Sequence, residues 1–303
     1  LLRAAIGWQI KRFTCPPTLT VAELCHTLTP KVRTELIEPL CVSALNTLAE
    51  SASAQVFLRV LRDALFGVQG GSRLLLPKVD LSALFPDAAA SWVTQHGGQL
   101  LLGRRIQSVN KSRQGWLMDG DAFDAIILAT SASNATLMLM NSASTATESI
   151  APKMQHWASL CHALRYEAIT TVYAWAAEAR LAQAMLSLRS SPQQPAQFVF
   201  DRGQLGGPSG LLAFVVSVST GERAHVQAQV LEQAKTQLGL SLQAVQTVVE
   251  KRATFACTPG LQRPAMHIAP GLLACGDYVD GPYPATLEGA VRSGMAAARA
   301  LTR

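Results

Sequence analysis

Two stretches of this chain limit its fold more than any others. The first runs Pro270-Gly271-Leu272-Leu273-Ala274-Cys275-Gly276-Asp277, then Tyr283-Pro284-Ala285-Thr286-Leu287-Glu288-Gly289-Ala290. It predicts a turn, a short buried strand with an acidic end, a brief loop and a helix of small residues reaching Leu301. The second is Ala125-Ile126-Ile127-Leu128-Ala129-Thr130, a continuous apolar run ending in small residues, as expected of a parallel strand buried on both faces. In the first stretch a helix N-terminus faces back across a strand tip. The glycine admits a ligand close to the backbone, and Asp277 can accept hydroxyl hydrogen bonds. The helix start offers unpaired N–H groups with a partial positive charge.

A polar, partly anionic ligand suits that arrangement, and the ribityl chain and pyrimidine edge of a flavin have this chemistry. The remaining pattern is mixed. Residues 1 to 70 read as helical, with a break at Cys15-Pro16-Pro17 and a new start at Thr20, where Glu23 stands at capping-box spacing. Another helix is expected from Val79 to His96, opening near Ser82. Strands are expected at Gln99 to Leu102, Arg104 to Asn110, Gly115 to Met118 and Ala122 to Thr130, with a turn at Asp119-Gly120-Asp121. A second sheet is expected from Thr170 to Trp175, Gln197 to Asp201, Leu211 to Ser219 and Val245 to Thr254, with a helix at Val226 to Leu238.

At 303 residues the chain can hold one large or two interleaved domains. Hydrophobic residues at 49% against charged ones at 15% fit a globular α/β protein with surplus apolar surface, which suits a lipid-like substrate. No window reaches the roughly eighteen apolar residues that span a bilayer. The six cysteines show no metal-ligand spacing and read as buried small hydrophobes in a reducing, cytoplasmic compartment. The net charge of +6 is scattered and builds no nucleic-acid module, so neither a metal site nor a nucleic-acid partner is expected. Leu1 to Phe13 can place Leu2, Ala5, Ile6, Ile10 and Phe13 on one face opposite Arg3, Lys11 and Arg12. Two readings stand for it: a surface helix packed on the core, or a peripheral contact with a membrane surface.

The C-terminal block resembles the FAD motif of the flavin amine oxidase and carotenoid desaturase superfamily. Gly276-Asp277 followed by Pro284-Ala285-Thr286-Leu287-Glu288-Gly289-Ala290-Val291-Arg292-Ser293-Gly294 is most similar to the hydroxysqualene dehydroxylase family. Glu38 to Thr47, Ala54 to Asp63, and Leu74 to Leu81 leading into Leu84-Phe85-Pro86 agree in order and spacing. The superfamily opens on a G-x-G-x-x-G turn for the FAD pyrophosphate, and no such fingerprint stands here. The expectation is therefore a fragment lacking on the order of a hundred residues, about one βαβ unit with its extensions, that binds FAD poorly alone.

The resemblance implies an α/β fold: a Rossmann-like FAD domain, incomplete at its N-terminus, interleaved with an α+β substrate domain. The substrate domain would comprise 1–70 and 151–250, and the FAD domain 71–150 and 251–303. Implied cofactor contacts are Ile106 at the adenine, Ala129 and Thr130 beside the pyrophosphate, Gly276 and Asp277 at the ribityl or phosphate oxygens, and Ala285, Thr286 and Leu287 at the flavin edge. Gly289, Ser293 and Gly294 serve either close cofactor approach or packing. On the helix around Ser53 to Phe66, Asp63 with Arg59 and Arg62 forms the polar candidate for a substrate hydroxyl, against a solvated surface ion pair as the alternative. The implied reaction is reductive dehydroxylation of hydroxysqualene, an isoprenoid, to squalene. Alternatives are a carotenoid desaturase, an amine oxidase, or a non-catalytic prenyl-lipid-binding remnant.

Overall fold

The computed structural model describes residues 1–67, 69–144 and 146–302. Residues 1–102 carry α1 (Leu2–Ile10), α2 (Val21–Leu24), α3 (Pro30–Val32), α4 (Glu38–Leu45), α5 (Ala54–Leu65), α6 (Leu81–Leu84) and α7 (Pro86–Gln95). Residues 103–165 follow with β1 (Val109–Lys111), β2 (Trp116–Met118), β3 (Asp121–Phe123), β4 (Ile126–Leu128), α8 (Ala132–Ala143) and α9 (Ala151–His162). Then come β5 (Tyr166–Trp175), β6 (Met185–Ser187), β7 (Phe198–Asp201), β8 (Leu211–Ser217), α10 (Arg223–Leu238) and β9 (Gln243–Phe255). The chain ends with β10 (His267–Ala269), β11 (Leu272–Ala274) and α11 (Leu287–Leu301). Two compact units result, Leu1–Leu102 with Tyr166–Thr254, and Gly103–Arg165 with Phe255–Arg303. The changes of unit at 102, 165 and 254 lie C-terminal to the expected 70, 150 and 250.

The first unit holds a five-stranded sheet in the order β6-β7-β8-β5-β9. Its strands alternate: Val172, Ala174, Phe214 and Val216 are buried against Val226, Val230 and Ala234 of α10. That burial removes apolar area from water and is the main source of the unit's stability. In the helical part, Thr20 accepts from the Glu23 N–H at 3.2 Å and Glu23 accepts from the Thr20 N–H at 2.8 Å, completing the expected capping box. Between α3 and α4 the helix widens into a π turn over Arg33–Ile37. It ends at Asn46, which takes the left-handed conformation at φ 44°. The Asn46 side chain accepts from the Val218 N–H at 2.8 Å and donates to Thr254 Oγ1 at 2.9 Å, joining α4 to the sheet.

In the second unit β4 and β11 are parallel neighbours, Ile126 opposite Leu272 and Leu128 opposite Ala274, with β10 antiparallel on the far side of β11. All three residues of β11 are buried, as a strand covered on both faces requires. A meander β1-β2-β3 stands beside this sheet in the sequence. Its tight turn at Asp119 and Gly120 has φ of 48° and 95°, the doubly left-handed turn that matches strand twist.

Several expectations are corrected. Gln99–Leu102 is not a strand, and Arg104–Asn110 narrows to β1, because the Gln107 and Ser108 N–H groups bond the Asp119 carboxylate at 3.0 and 2.8 Å instead of a neighbouring strand. Ala122–Thr130 divides into β3 and β4, which belong to different sheets. The helix expected over Val79–His96 breaks at Phe85, φ −146°, since the proline at 86 disfavours helical geometry in the residue before it. Asp80, not Ser82, caps the first piece. Trp8 of α1 is buried, and of the expected face only Phe13, beyond the helix end, is buried too, with Ala5 half-buried and Leu2, Ile6 and Ile10 75%, 48% and 77% exposed. Cys15 and Cys275 are half-buried, unlike the other four cysteines.

Candidate functional site

Cys275 donates its N–H to the Leu128 carbonyl at 3.0 Å, which holds the strand ends together one residue beyond the ladder. Ala129-Thr130 and Gly276-Asp277 therefore leave the sheet at the same carboxyl edge. Ser131 caps α8 directly after β4, accepting from Asn134 N at 3.4 Å, and Thr286 caps α11 after β11, accepting from Gly289 N at 3.0 Å. Adjacent parallel strands each running into a helix at one edge make the crest at which α/β sheets seat ligands.

Gly276 is fixed to α11 from the helix side. Ser293 Oγ accepts from its N–H at 2.9 Å and reaches its carbonyl at 3.0 Å. A Cβ on Gly276 would lie 2.5 Å from the Tyr278 ring, so only glycine fits. Ser293 and Gly289 are thereby accounted for by packing. A Cβ on Gly289 would stand 2.0 Å from the Tyr283 carbonyl oxygen. Ala285 bonds the Asp277 carbonyl through its N–H at 3.2 Å and sits at φ 55°, an unfavourable region for a residue with a Cβ.

Burial pushes the Asp277 carboxyl above the usual carboxylate range, opposed by the N–H groups of Asp277 and Tyr278 and by the nearby Arg263 guanidinium. Arg263 itself has a side chain only 10% exposed. It donates to the Val279 carbonyl at 2.8 Å and to that of Gly281, and pairs with Asp280 at 3.2 Å, clamping the loop between β11 and α11. Desolvation lowers its own pKa. Sequence reading missed Arg263, because a lone arginine in Leu261-Gln262-Arg263-Pro264 has no distinguishing spacing. The loop is further seated by Trp157, whose Nε1 donates to Ala265 O at 2.7 Å and whose ring meets Tyr278 edge-on at 6.1 Å.

Ile106 and Thr130 come together around a cavity of about 220 Å³ that also includes Gln107 and Asn134. Ile106 is not on a strand, contrary to expectation; it precedes β1 in the segment held by Asp119. Asp63, Arg59 and Arg62 belong to α5 of the other unit. There Arg62 Nε and Asp63 Oδ1 form an ion pair at 2.7 Å, with side chains 43% and 36% exposed.

The crest fits a flavin dinucleotide. Among the described residues the N–H groups of Leu287 and Glu288 stay open at the helix start, Thr286 having satisfied that of Gly289. Leu287, 75% exposed, and Ala129, also exposed, add apolar surface to the crest. Among the described residues no helix is long and apolar enough to cross a membrane, and no His, Cys, Asp or Glu group is placed to hold a metal ion.

Comparison with known proteins agrees with this geometry. The chain is 27% identical over 290 residues to a hydroxysqualene dehydroxylase of Rhodopseudomonas palustris, covering 87% of this chain and 61% of that protein's length. An oxidoreductase from Methanosarcina mazei superposes with a TM-score of 0.70 at 14% identity, covering 98% of this chain and 72% of that one. Cyclohexylamine oxidase from Brevibacterium oxydans IH-35A gives 0.58 at 13% identity, covering 95% and 69%. Both likenesses establish the fold. Residues 28–302 match the family model described as flavin containing amine oxidoreductase. The chain belongs to that family, and the cofactor its membership implies is FAD.

Proposed function

We propose that this protein is an FAD-dependent oxidoreductase acting on a long isoprenoid, and that its reaction is the reductive dehydroxylation of hydroxysqualene to squalene. The observation that carries the redox part is the meeting of Ala129-Thr130, Gly276-Asp277 and the α11 start at one sheet edge. The substrate part rests on the Rhodopseudomonas relative and on a composition of 49% hydrophobic against 15% charged residues. The unit Leu1–Leu102 with Tyr166–Thr254 is assigned to the substrate and the other to the cofactor.

In the net reaction the allylic C–O bond breaks, the hydroxyl leaves with a proton as water, and a hydride takes its place. Bound FAD in its reduced form supplies that hydride. Asp277 would accept a hydrogen bond from a ribityl hydroxyl, and the α11 N-terminus would offer partial positive charge to the pyrimidine edge. Ile106 and Thr130, which line one cavity, would hold the adenine and pyrophosphate end. Ala285, through its bond to Asp277, sets the turn that aims Thr286 and Leu287. Asp63, paired with Arg62 at 2.7 Å, is the candidate for handling the substrate hydroxyl, with Arg59 one turn before it on the same helix.

The test is to purify the protein as its natural polypeptide, read its flavin absorbance, and incubate it with hydroxysqualene and a reductant. Squalene formation, reduced at least tenfold in Asp63→Asn with flavin content unchanged, is the expected result. Yellow protein inert to hydroxysqualene would remove the substrate assignment and leave the cofactor site; colourless protein that takes up no FAD would remove the cofactor assignment as well.

A further inference from the structure

We propose that the first unit carries a second binding site, for a small organic cation with an apolar body, in the cavity between the π turn, the end of β8 and the start of α10. The cavity measures about 400 Å³, within the usual range for a small-molecule site. Two backbone irregularities border it. The π turn Arg33–Ile37 contributes Thr34, and Glu38 follows directly at the first turn of α4. Across from them Val218 stands at φ 48°, a conformation that a β-branched residue adopts only when its surroundings impose it. The Asn46 side-chain Oδ1 holds it there by accepting the Val218 N–H at 2.8 Å. Widened helical turns and strained non-glycine residues concentrate at binding sites, and here both face one cavity.

A third wall is built with equal care. Gln233, fully buried, accepts from Ala196 N at 2.9 Å and donates to Ala196 O and Arg189 O, at 2.9 and 3.1 Å. Gln229 donates to Pro192 O at 2.9 Å. These bonds hold the loop carrying Ser190, Ser191 and Pro192 against α10, so that wall is formed before any ligand arrives.

The lining chooses the ligand. Val42, Val216 and Val226 give a buried apolar floor, with the exposed Leu48 at its edge, and Glu38 is the only charged residue among the lining residues described. No lysine, arginine or histidine accompanies it there. The Glu38 carboxylate has no ion pair or hydrogen bond among the described residues and is half-buried. Among the described residues the Gln229 Oε1, with its amide nitrogen already engaged, is a further acceptor beside the Thr220 hydroxyl, while the Ser219 hydroxyl is taken up by Thr170 Oγ1 at 2.6 Å. A lone carboxylate beside an apolar floor favours an ammonium on a short hydrocarbon chain and disfavours anions.

The probe is hexylammonium, with hexanol as its neutral counterpart, titrated into the purified protein while the methyl NMR signals of Val42, Val216 and Val226 are followed. Saturable shifts with hexylammonium, at least tenfold weaker binding of hexanol, and a comparable loss in Glu38→Gln are expected. Val218→Gly keeps Glu38 and the bond to Asn46 but removes an apolar side chain from the lining; it is expected to weaken hexylammonium several-fold while leaving the flavin absorbance unchanged. Equal binding by Glu38→Gln, or shifts confined to residues outside this cavity, would overturn the proposal. If hexylammonium instead perturbs the flavin spectrum in wild type and Glu38→Gln alike, the amine occupies the cofactor site and the proposal also fails.

Discussion

Single residues at the crest are held in states that cost stability, and each can be relieved. The folded-state pKa of Asp277 is raised, so its ionisation opposes folding: the penalty is absent below the unfolded value near 3.8, grows as pH rises through the raised folded value, and is constant above it. Asp277→Asn is therefore expected to melt higher than wild type at pH 7 and to lose that advantage below about pH 4, as thermal scans across pH would show. The same substitution weakens FAD about tenfold or more in a fluorescence titration, the cost of a lost charge-assisted hydrogen bond. Ala285→Gly removes a left-handed alanine and is expected to add about 1 kcal/mol to unfolding stability by denaturant titration. Gly289→Ala does the reverse. Its Cβ meets the Tyr283 carbonyl oxygen at 2.0 Å, and a loss of about 1–3 kcal/mol should follow.

Between elements, the contact that matters most for the crest is α11 against the end of β11 through Ser293. Ser293→Ala leaves the Gly276 N–H without its partner and is expected to cost about 1–3 kcal/mol, with faster amide exchange at Gly276 as the local readout. Much of this level was legible beforehand. The apolar run Ala125–Thr130 and the tail strand came out as neighbouring parallel strands because burial on both faces leaves a period-free signal. The Thr20–Glu23 box and α11 carried their own start signals. What stayed hidden depends on distant partners. Asp119 draws the Gln107 and Ser108 N–H groups away from strand pairing, so Ile106 looked like a strand residue. The role of Arg263 exists only because the loop at Val279 folds back onto it. The Val218 bend depends on Asn46, which stands far upstream in the sequence. No local pattern encodes such pairings.

At the scale of the molecule, the apolar surplus seen in the composition is not all buried. Leu75, Leu101 and Leu102 are 93%, 62% and 87% exposed, and Leu287, Val291 and Met295 form an uncovered stripe along α11. Replacing Leu75, Leu101 and Leu102 by serine is expected to lower binding of a hydrophobic dye without lowering the melting temperature, since little packing is lost. The division of the chain has a temporal meaning as well. β4 is made long before β11, its partner in the parallel ladder, and all of β5–β9 is synthesised in between. During vectorial synthesis the strand Ile126–Leu128 therefore stays without this partner until Leu272–Ala274 has been made. A nascent chain stopped between Leu128 and Leu272 carries β4 without β11, leaving an apolar strand edge of the kind that chaperones and proteases recognise.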